Sequence, residues 1–244
     1  RNLNQRPILI FGKNDFITLA AMLATNLRGH AYIPVDAHTP FERTEMIKSA
    51  AKPAAVLTTV ELSADFEALF TDRISLELTD QILTDKLPAL DFSKAVSGND
   101  SNYIIYTSGT TGKPKGVLFR DKAMENLVNF QQQKCQYSLS KTVSQFASLA
   151  FDVASQEIWS TLCSGGCLVI VNEESKKDTL KFLEFFNRNK IQTSFLPTSF
   201  FKVLMSDTIG LQEFLSNVDN IIVAGEALTV NEEIITNIKQ NNVH

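Results

Sequence analysis

Hydroxyl, glycine and lysine residues are concentrated in one short stretch of the chain, residues 103–116, with the sequence YIIYTSGTTGKPKG. An apolar run leads into a loop whose glycines let an anion approach the backbone N–H groups closely. A polyphosphate needs many donors that converge on its oxygens, whereas a solvated turn between strands needs only one or two of these residues. We therefore expect a polyphosphate site. Its donors are Thr107, Ser108, Gly109, Thr110, Thr111, Gly112, Lys113 and Lys115.

The familiar phosphate-binding loops do not match this stretch. A Walker loop has four residues between its glycines and a lysine that opens a helix, but here two residues separate Gly109 from Gly112 and Pro114 follows Lys113. The dinucleotide fingerprint G-x-G-x-x-G follows none of the predicted strands. The run GVLF at 116–119 predicts another strand. We therefore expect the loop to join two strands of a hairpin-like flap over its ligand.

Composition limits the class of protein. The chain has 244 residues, of which 44% are hydrophobic and 20% charged, which is enough for one large or two small domains with a core. A net charge of -4 and the lack of a Lys/Arg stripe argue against a nucleic acid partner. Apolar runs such as 221–224 are too short to span a bilayer, and no basic and then apolar leader opens the chain. We expect a soluble, cytoplasmic protein without a membrane partner.

The cysteines do not indicate a metal site. Cys163 and Cys167 are four residues apart, but no nearby histidine or second cysteine pair completes a metal shell. We expect these two residues and Cys135 to be small buried hydrophobic residues, and we expect no metal site.

Strand and helix signals alternate along the chain. Strands are predicted at 8–11, 31–35, 54–58, 74–78, 116–119, 143–147, 167–171, 193–196 and 220–224. Helices are predicted after Asn14, from a Thr39–Glu42 capping box to about residue 50, and at 122–134, 155–163, 178–189, 199–205 and 231–240. Residues 87–102 form a polar connection. Continuous apolar strands between helices predict an α/β fold with mostly parallel sheets covered by helices on both faces.

The segment YTSGTTGKPKG closely resembles the signature loop of the adenylate-forming (AMP-binding) superfamily, which includes acyl-CoA synthetases, luciferases and the adenylation domains of nonribosomal peptide synthetases. Three further resemblances follow in the family's order: LRGHAYIPVD at 27–36, FDVASQEIW at 151–159 and AGEAL at 224–228. They cover essentially the whole chain but not the whole domain of the family. We interpret residues 1–244 as a partial N-terminal lobe of an amino-acid adenylation domain, without the C-terminal lobe and with the catalytic lysine beyond His244.

The resemblance implies a reaction and a nucleotide site. An amino-acid carboxylate would attack the α-phosphorus of ATP, with Mg²⁺, to give an aminoacyl-adenylate, and the acyl group would pass to the phosphopantetheine of a peptidyl or acyl carrier protein. Thr107, Ser108, Thr110, Thr111 and Lys113, with the loop glycines, would hold the β- and γ-phosphates. Gly225, Glu226 and Ala227 would contact the adenine edge. We expect the 244-residue chain to bind ATP weakly and not to turn over alone.

Asp152 distinguishes the branches of the family. A desolvated α-ammonium needs a carboxylate partner, whereas a fatty or aryl acid needs none. In amino-acid-activating members an aspartate in an FD motif like Phe151-Asp152 has this role; the alternative is an N-cap for a helix that begins near Ser155. The family's selectivity positions correspond to Asp152, Val153, Gln156, Phe195, Ile222 and Ala224. This partial set resembles proline-activating peptide-synthetase domains.

Several alternatives stay open. The first half is also similar to D-alanine:carrier-protein ligases, through GHAYIPVDAHTPFER and NYIIYTSGTTGKPKGV. An acyl-CoA or aryl-CoA synthetase with an uncharged pocket, or a non-catalytic nucleotide-binding remnant, would carry the same loop. The chain departs from the family at two positions, with Asp121 in place of a common histidine and Ala154 in place of the usual serine.

Overall fold

The computed structural model describes residues 6–76, 101–108, 113–134, 141–206, 208–241 and 243. The chain divides into two compact units, Arg1–Glu125 and Asn126–His244. Each unit contains one sheet. The predicted polar connection at 87–102 lies outside the described residues except for its last two, which begin a strand.

The first unit is built on a six-stranded sheet with the order β4-β3-β1-β2-β5-β6. Strands β1 to β5 pair in parallel, and β6 pairs antiparallel with β5. The strands are β1 (Ile8–Gly12), β2 (Tyr32–Asp36), β3 (Ala55–Thr58), β4 (Arg73–Ser75), β5 (Ser101–Ser108) and β6 (Pro114–Arg120). The helices are α1 (Phe16–Leu27), α2 (Phe41–Ala51) and α3 (Ala64–Leu69), and α4 (Asp121–Lys134) crosses the boundary between the units. The predicted hairpin at the signature loop is confirmed.

Both faces of the central strands β1 and β2 are buried. One face of β1 and β2 contributes Leu9, Phe11, Ile33 and Val35 to a hydrophobic cluster that includes Phe70. The alternate residues Ile10 and Tyr32 are equally buried, because successive side chains of a strand point to opposite faces. The unbroken apolar runs of the sequence therefore have the cause that we expected, which is burial on two sides.

Two predicted helix starts need correction. Asp15, one residue after the predicted position, caps α1 and accepts a hydrogen bond from the N–H of Thr18 at 2.8 Å. The capping box before α2 is wrong, since Pro40 occupies the cap position and has no side-chain acceptor. The Pro40 carbonyl instead accepts the N–H of Thr44 at 3.0 Å.

The second unit is built on a four-stranded sheet with the order β10-β9-β7-β8, in which the pairs are parallel. The strands are β7 (Thr142–Gln145), β8 (Cys167–Ile170), β9 (Thr193–Pro197) and β10 (Asn220–Ala224). The helices are α5 (Asp152–Leu162), α6 (Thr179–Arg188), α7 (Thr198–Ser206), α8 (Thr208–Asn217) and α9 (Glu232–Gln240). The predicted class, α/β with mostly parallel sheets and helices, is confirmed.

The side chains of β9 and β10 alternate between two clusters. Leu196 and Val223 face the main core, where phenylalanines of α6 and α8 pack edge to face; the ring centroids of Phe186 and Phe214 are 4.9 Å apart. Phe195 and Ile222 belong to a second cluster that contacts α5. The two faces of this sheet therefore have different neighbours.

Some local predictions are wrong. The short helices α3 and α8 were not predicted, and α5 begins three residues before Ser155. Cys163 and Cys167 are exposed and not buried, because they lie in and after the turn that follows α5, while Cys135 lies outside the described residues. Among the described helices, none is long and apolar enough to cross a membrane.

Candidate functional site

The ends of the signature loop are held by the β5–β6 hairpin of the first unit. Thr107 lies opposite Lys115, and Ser108 lies opposite Pro114. Thr107 is exposed at this end of the hairpin, and its hydroxyl is 3.5 Å from the Lys115 carbonyl. Lys113, the first described residue after the loop, is also exposed. The remaining predicted phosphate ligands, Gly109, Thr110, Thr111 and Gly112, lie outside the described residues.

Two contacts fix the base of this loop. Tyr106 pairs with Gly116 across the hairpin, and a Cβ at Gly116 would lie 3.1 Å from the Tyr106 ring and from the Ile104 side chain. The last glycine of the signature is therefore needed for close approach. On the other side, the Arg43 guanidinium donates to the Tyr106 carbonyl at 2.9 Å. Sequence reasoning missed Arg43, because its partner is 63 residues away.

Asp121, which replaces the family's common histidine, lies at the far end of the hairpin from the loop. Ser101 pairs with Arg120 at that end, and Asp121 accepts a hydrogen bond from the Asn102 side chain at 2.5 Å. Seven steps along β5 correspond to about 23 Å at a rise of roughly 3.3 Å per residue. Asp121 is therefore far from the described ends of the loop.

In the second unit the predicted substrate residues lie near the carboxyl ends of β7, β9 and β10. Asp152 is the first residue of α5, its side chain is exposed, and it accepts a hydrogen bond from the N–H of Val153 at 2.9 Å. Phe151 occupies the cap position and makes no side-chain cap hydrogen bond. The capping interpretation of Asp152 is therefore wrong, because the helix starts at the aspartate itself.

Three predicted selectivity residues are in contact with one apolar cluster. Phe195 and Val143 form its buried centre, and Val153 and Ile222 pack against them. Phe195 and Ile222 are direct partners in the β9–β10 register. Phe195 is 1% exposed, so it is a buried member of this cluster. The structure thus brings these residues together, and their role toward a ligand stays a prediction.

Besides Asp152, the remaining selectivity positions are Gln156 and Ala224. Gln156 is half-buried, one helical turn after Asp152 on α5. Ala224 is the last residue of β10 and pairs with Pro197, where both strands end.

The predicted adenine-binding segment, Gly225 to Ala227, is an exposed turn after β10. Gly225 has a φ of 114°, which other residues rarely adopt. The buried hydroxyl of Thr198 lies 3.1 Å from the Ala224 carbonyl and 3.0 Å from the Glu226 carbonyl. It therefore holds both ends of the bend at Gly225. The Glu226 carboxylate lies 3.3 Å from the Lys202 ammonium. Sequence reasoning missed Thr198, although a threonine directly after the strand-ending Pro197 is a signal that could have found it.

A buried carboxylate follows the Phe151–Asp152 segment on the same helix. Glu157 of α5 is 0% exposed. Burial raises the pKa of this carboxyl from 4.5 to about 8, although hydrogen bonds from the N–H groups of Ala147 and Phe146 and from the Gln145 amide, and the charge of Lys176, lower it. The raised pKa means that ionising Glu157 in the folded protein is unfavourable.

Comparison with known proteins identifies the relatives of this chain. The model of the family AMP-binding enzyme matches residues 3–235. A D-alanine--D-alanyl carrier protein ligase of Lactococcus lactis subsp. lactis (strain IL1403) is 56% identical over 246 residues, which cover 100% of this chain and 49% of that protein. Gramicidin S synthase 2 of Brevibacillus brevis is 35% identical over 222 residues, 88% of this chain and 5% of the synthase. The chain thus spans about half the length of the similar ligase.

Solved structures share the fold. The N-terminal subdomain of Klebsiella oxytoca NpsA, in complex with 3-hydroxybenzoyl-AMSN, matches with a TM-score of 0.74 at 21% identity, over 98% of this chain and 58% of that chain. CmiS6 matches with a TM-score of 0.76 at 22% identity, over 98% and 56%. The family match over nearly the whole chain confirms the resemblance seen in the signature loop: this chain belongs to the family of AMP-binding enzymes.

Proposed function

We propose that the protein containing this chain activates D-alanine with ATP and transfers it to a carrier protein. The identity of 56% to a ligase of that name, over the whole chain, favours this alternative over the peptide-synthetase adenylation domain that the sequence first suggested, since the similar synthetase is 35% identical. The observation that carries the amino-acid substrate is the exposed Asp152 carboxylate at the start of α5, beside an apolar cluster.

The first unit would bind the phosphates of the nucleotide. The exposed Thr107 hydroxyl and Lys113 ammonium flank the loop, and hydroxyl, ammonium and backbone N–H donors suit phosphate oxygens. Mg²⁺ would arrive bound to the phosphates of ATP. In the second unit, the turn at Gly225 to Ala227 would contact the adenine edge, as the family resemblance implies.

The amino acid would be held by charge and by size. Asp152 would pair with the α-ammonium, and Val153 and Ile222, supported by Phe195, would contact the methyl side chain. The substrate carboxylate oxygen attacks the α-phosphorus and pyrophosphate leaves; the phosphopantetheine thiol of the carrier then attacks the acyl carbon and AMP leaves. These residues contribute positioning and charge neutralisation, which suffice for much of such a reaction. The catalytic lysine and the C-terminal lobe would lie outside residues 1–244.

The test is amino-acid-dependent pyrophosphate exchange by the gene product expressed to its natural ends, with D-alanine, L-alanine and L-proline as substrates. We expect D-alanine to give the highest kcat/KM. Asp152→Ala should raise the KM for D-alanine by about 100-fold or more, because removing one partner of a desolvated charge pair costs roughly 2–5 kcal/mol. The KM for ATP should stay within about twofold.

The control is Asp178→Ala, which removes an aspartate from the start of another helix, α6, in the same unit. It should leave both KM values unchanged. A preference for L-proline would favour the peptide-synthetase alternative. Activity on fatty or aryl acids that Asp152→Ala leaves intact would favour a CoA synthetase, and no exchange with any acid would favour a non-catalytic remnant.

A further inference from the structure

The Glu157 carboxylate holds the turn that follows β7. Its Oε1 accepts the N–H groups of Phe146 and Ala147, both at 3.1 Å. Its Oε2 accepts the Gln145 side-chain amide at 2.8 Å and the Ala147 N–H at 3.1 Å. Three consecutive residues at the end of β7 are thus bound to one side chain of α5.

Burial of the Glu157 carboxyl group is unfavourable unless particular donors bind its oxygens. Glu157 and Gln145 are both 0% exposed, and a buried carboxylate is tolerated only where donors surround its oxygens. The Gln145 amide also donates to the Ala147 carbonyl at 2.6 Å, so the turn is fixed from β7 as well as from α5. An apolar residue at 157 would leave two backbone N–H groups without this acceptor, at a cost of about 1–3 kcal/mol each.

The turn leads directly to the candidate amino-acid site. Residues 146–151 connect β7 with Asp152, the first residue of α5. The N–H of Phe151 donates to the Ser148 carbonyl at 3.0 Å, which forms a turn in the second half of the segment. Glu157 follows Asp152 by five residues on the same helix, so its carboxylate ties the start of the segment to the helix at which the segment ends. The position of Asp152 relative to β7 depends on this link.

We propose that Glu157 is a positioning residue for the amino-acid site: it does not touch the substrate but holds the 146–151 segment so that Asp152 meets the α-ammonium. The proposal rests on the proposed function, because it assumes that Asp152 binds an amino acid. Charge pairing depends steeply on distance in a desolvated site, so a loosened segment should weaken amino-acid binding more than nucleotide binding.

The test compares Glu157→Gln with the wild type in the gene product expressed to its natural ends, with separate KM values for D-alanine and ATP in pyrophosphate exchange. Glutamine keeps one acceptor oxygen, but its NH₂ group cannot accept a hydrogen bond, whereas both oxygens of a carboxyl can accept one whether the group is protonated or ionised. We expect the KM for D-alanine to rise by about tenfold or more. The KM for ATP should stay within about twofold.

Two further variants keep the test decisive. Gln145→Ala leaves the carboxylate in place and removes one of its donors, so it should raise the KM for D-alanine by about threefold, a smaller change in the same direction. Ser144→Ala is the matched control, because Ser144 is an equally buried polar residue of β7 whose hydroxyl pairs with Ser194 of β9 at 2.9 Å. It should leave both KM values unchanged.

The outcomes separate this proposal from the proposed function. Equal effects on both KM values, or a Ser144→Ala effect as large as that of Glu157→Gln, would mean that Glu157 has only a general structural role. If Glu157→Gln fails to fold, an unchanged KM for D-alanine in Gln145→Ala would overturn the proposal. If Asp152→Ala abolishes amino-acid dependence while Glu157→Gln has no effect, the proposed function stands and the positioning role is wrong. If Asp152→Ala changes nothing, the proposed function itself fails.

Discussion

Replacing Glu157 with glutamine should remove a pH dependence from the stability of the second unit. The folded pKa of this carboxyl is raised from 4.5 to about 8, chiefly by burial. Between these values the folded chain keeps a proton that the unfolded chain has released, so the unfolding free energy of the wild type should fall as pH rises through this window. An amide does not titrate, and the variant should lack this decline.

The size of the effect follows from the same pKa values. One group that binds a full proton more in the folded state lowers the unfolding free energy by about 1.4 kcal/mol per pH unit. The opposing N–H donors and the charge of Lys176 are already included in the raised value. Lys176 itself pairs with Glu173 at 2.9 Å. Glu157→Gln should therefore be most destabilised relative to the wild type near pH 5 and least near pH 8.

The assay is urea unfolding of the 244-residue chain at several pH values, followed by tryptophan fluorescence. Trp159 is the only tryptophan of the sequence and is 8% exposed on the same helix as Glu157, so it reports on this unit. Asp178→Asn is the control, since it removes an exposed carboxylate but keeps a capping side chain. A constant difference between Glu157→Gln and the wild type from pH 5 to 8 would refute the reasoning, because it would show that the donors keep the carboxyl ionised in the folded protein.

Three further substitutions test contacts within each unit: two concern packing and one concerns a helix cap. Gly12→Ala should cost about 1–3 kcal/mol in urea unfolding, because a Cβ there would lie 2.1 Å from the Thr59 hydroxyl and 2.5 Å from the Thr18 hydroxyl, which bond to each other; full stability would contradict this contact. Phe182→Ala should cost about 3–5 kcal/mol, since the ring is fully buried among other phenylalanines, and an unchanged urea midpoint would refute it. Asp178→Ala should cost about 1 kcal/mol by removing the acceptor for two N–H groups of α6, with Asp178→Asn close to wild type.

The elements that the sequence predicted well are those whose signal is local. The strand at 220–224 matches β10 to the residue, because its apolar run packs against a hydrophobic cluster on each face and has polar neighbours. The helix α5 was placed three residues late, because the sequence could not show that Phe151 occupies the cap position and that the helix begins at Asp152. The helix α8 was missed although Leu211, Phe214 and Leu215 have helical spacing.

The candidate site was predictable in its motifs but not in its supports. The signature loop and the FD motif were recognised because their residues are contiguous. Arg43, Thr198 and Glu157 were not predicted, since each acts through a hydrogen bond to a backbone group of another element. Any residue can supply a backbone partner, so the sequence of the partner segment does not indicate such contacts. They become visible only when the fold brings distant segments together.

The alternation along β9 and β10 has a consequence for how substrate choice can change during evolution. Leu196 and Val223 stabilise the main core, while their neighbours Phe195 and Ile222 belong to the smaller cluster next to α5. On the proposal that this cluster adjoins the bound amino acid, a mutation that adapts the protein to a different side chain leaves the aromatic core of the unit intact. Replacements at Val153 or Ile222, which are only partly buried, would therefore change this cluster without removing a side chain from the main core.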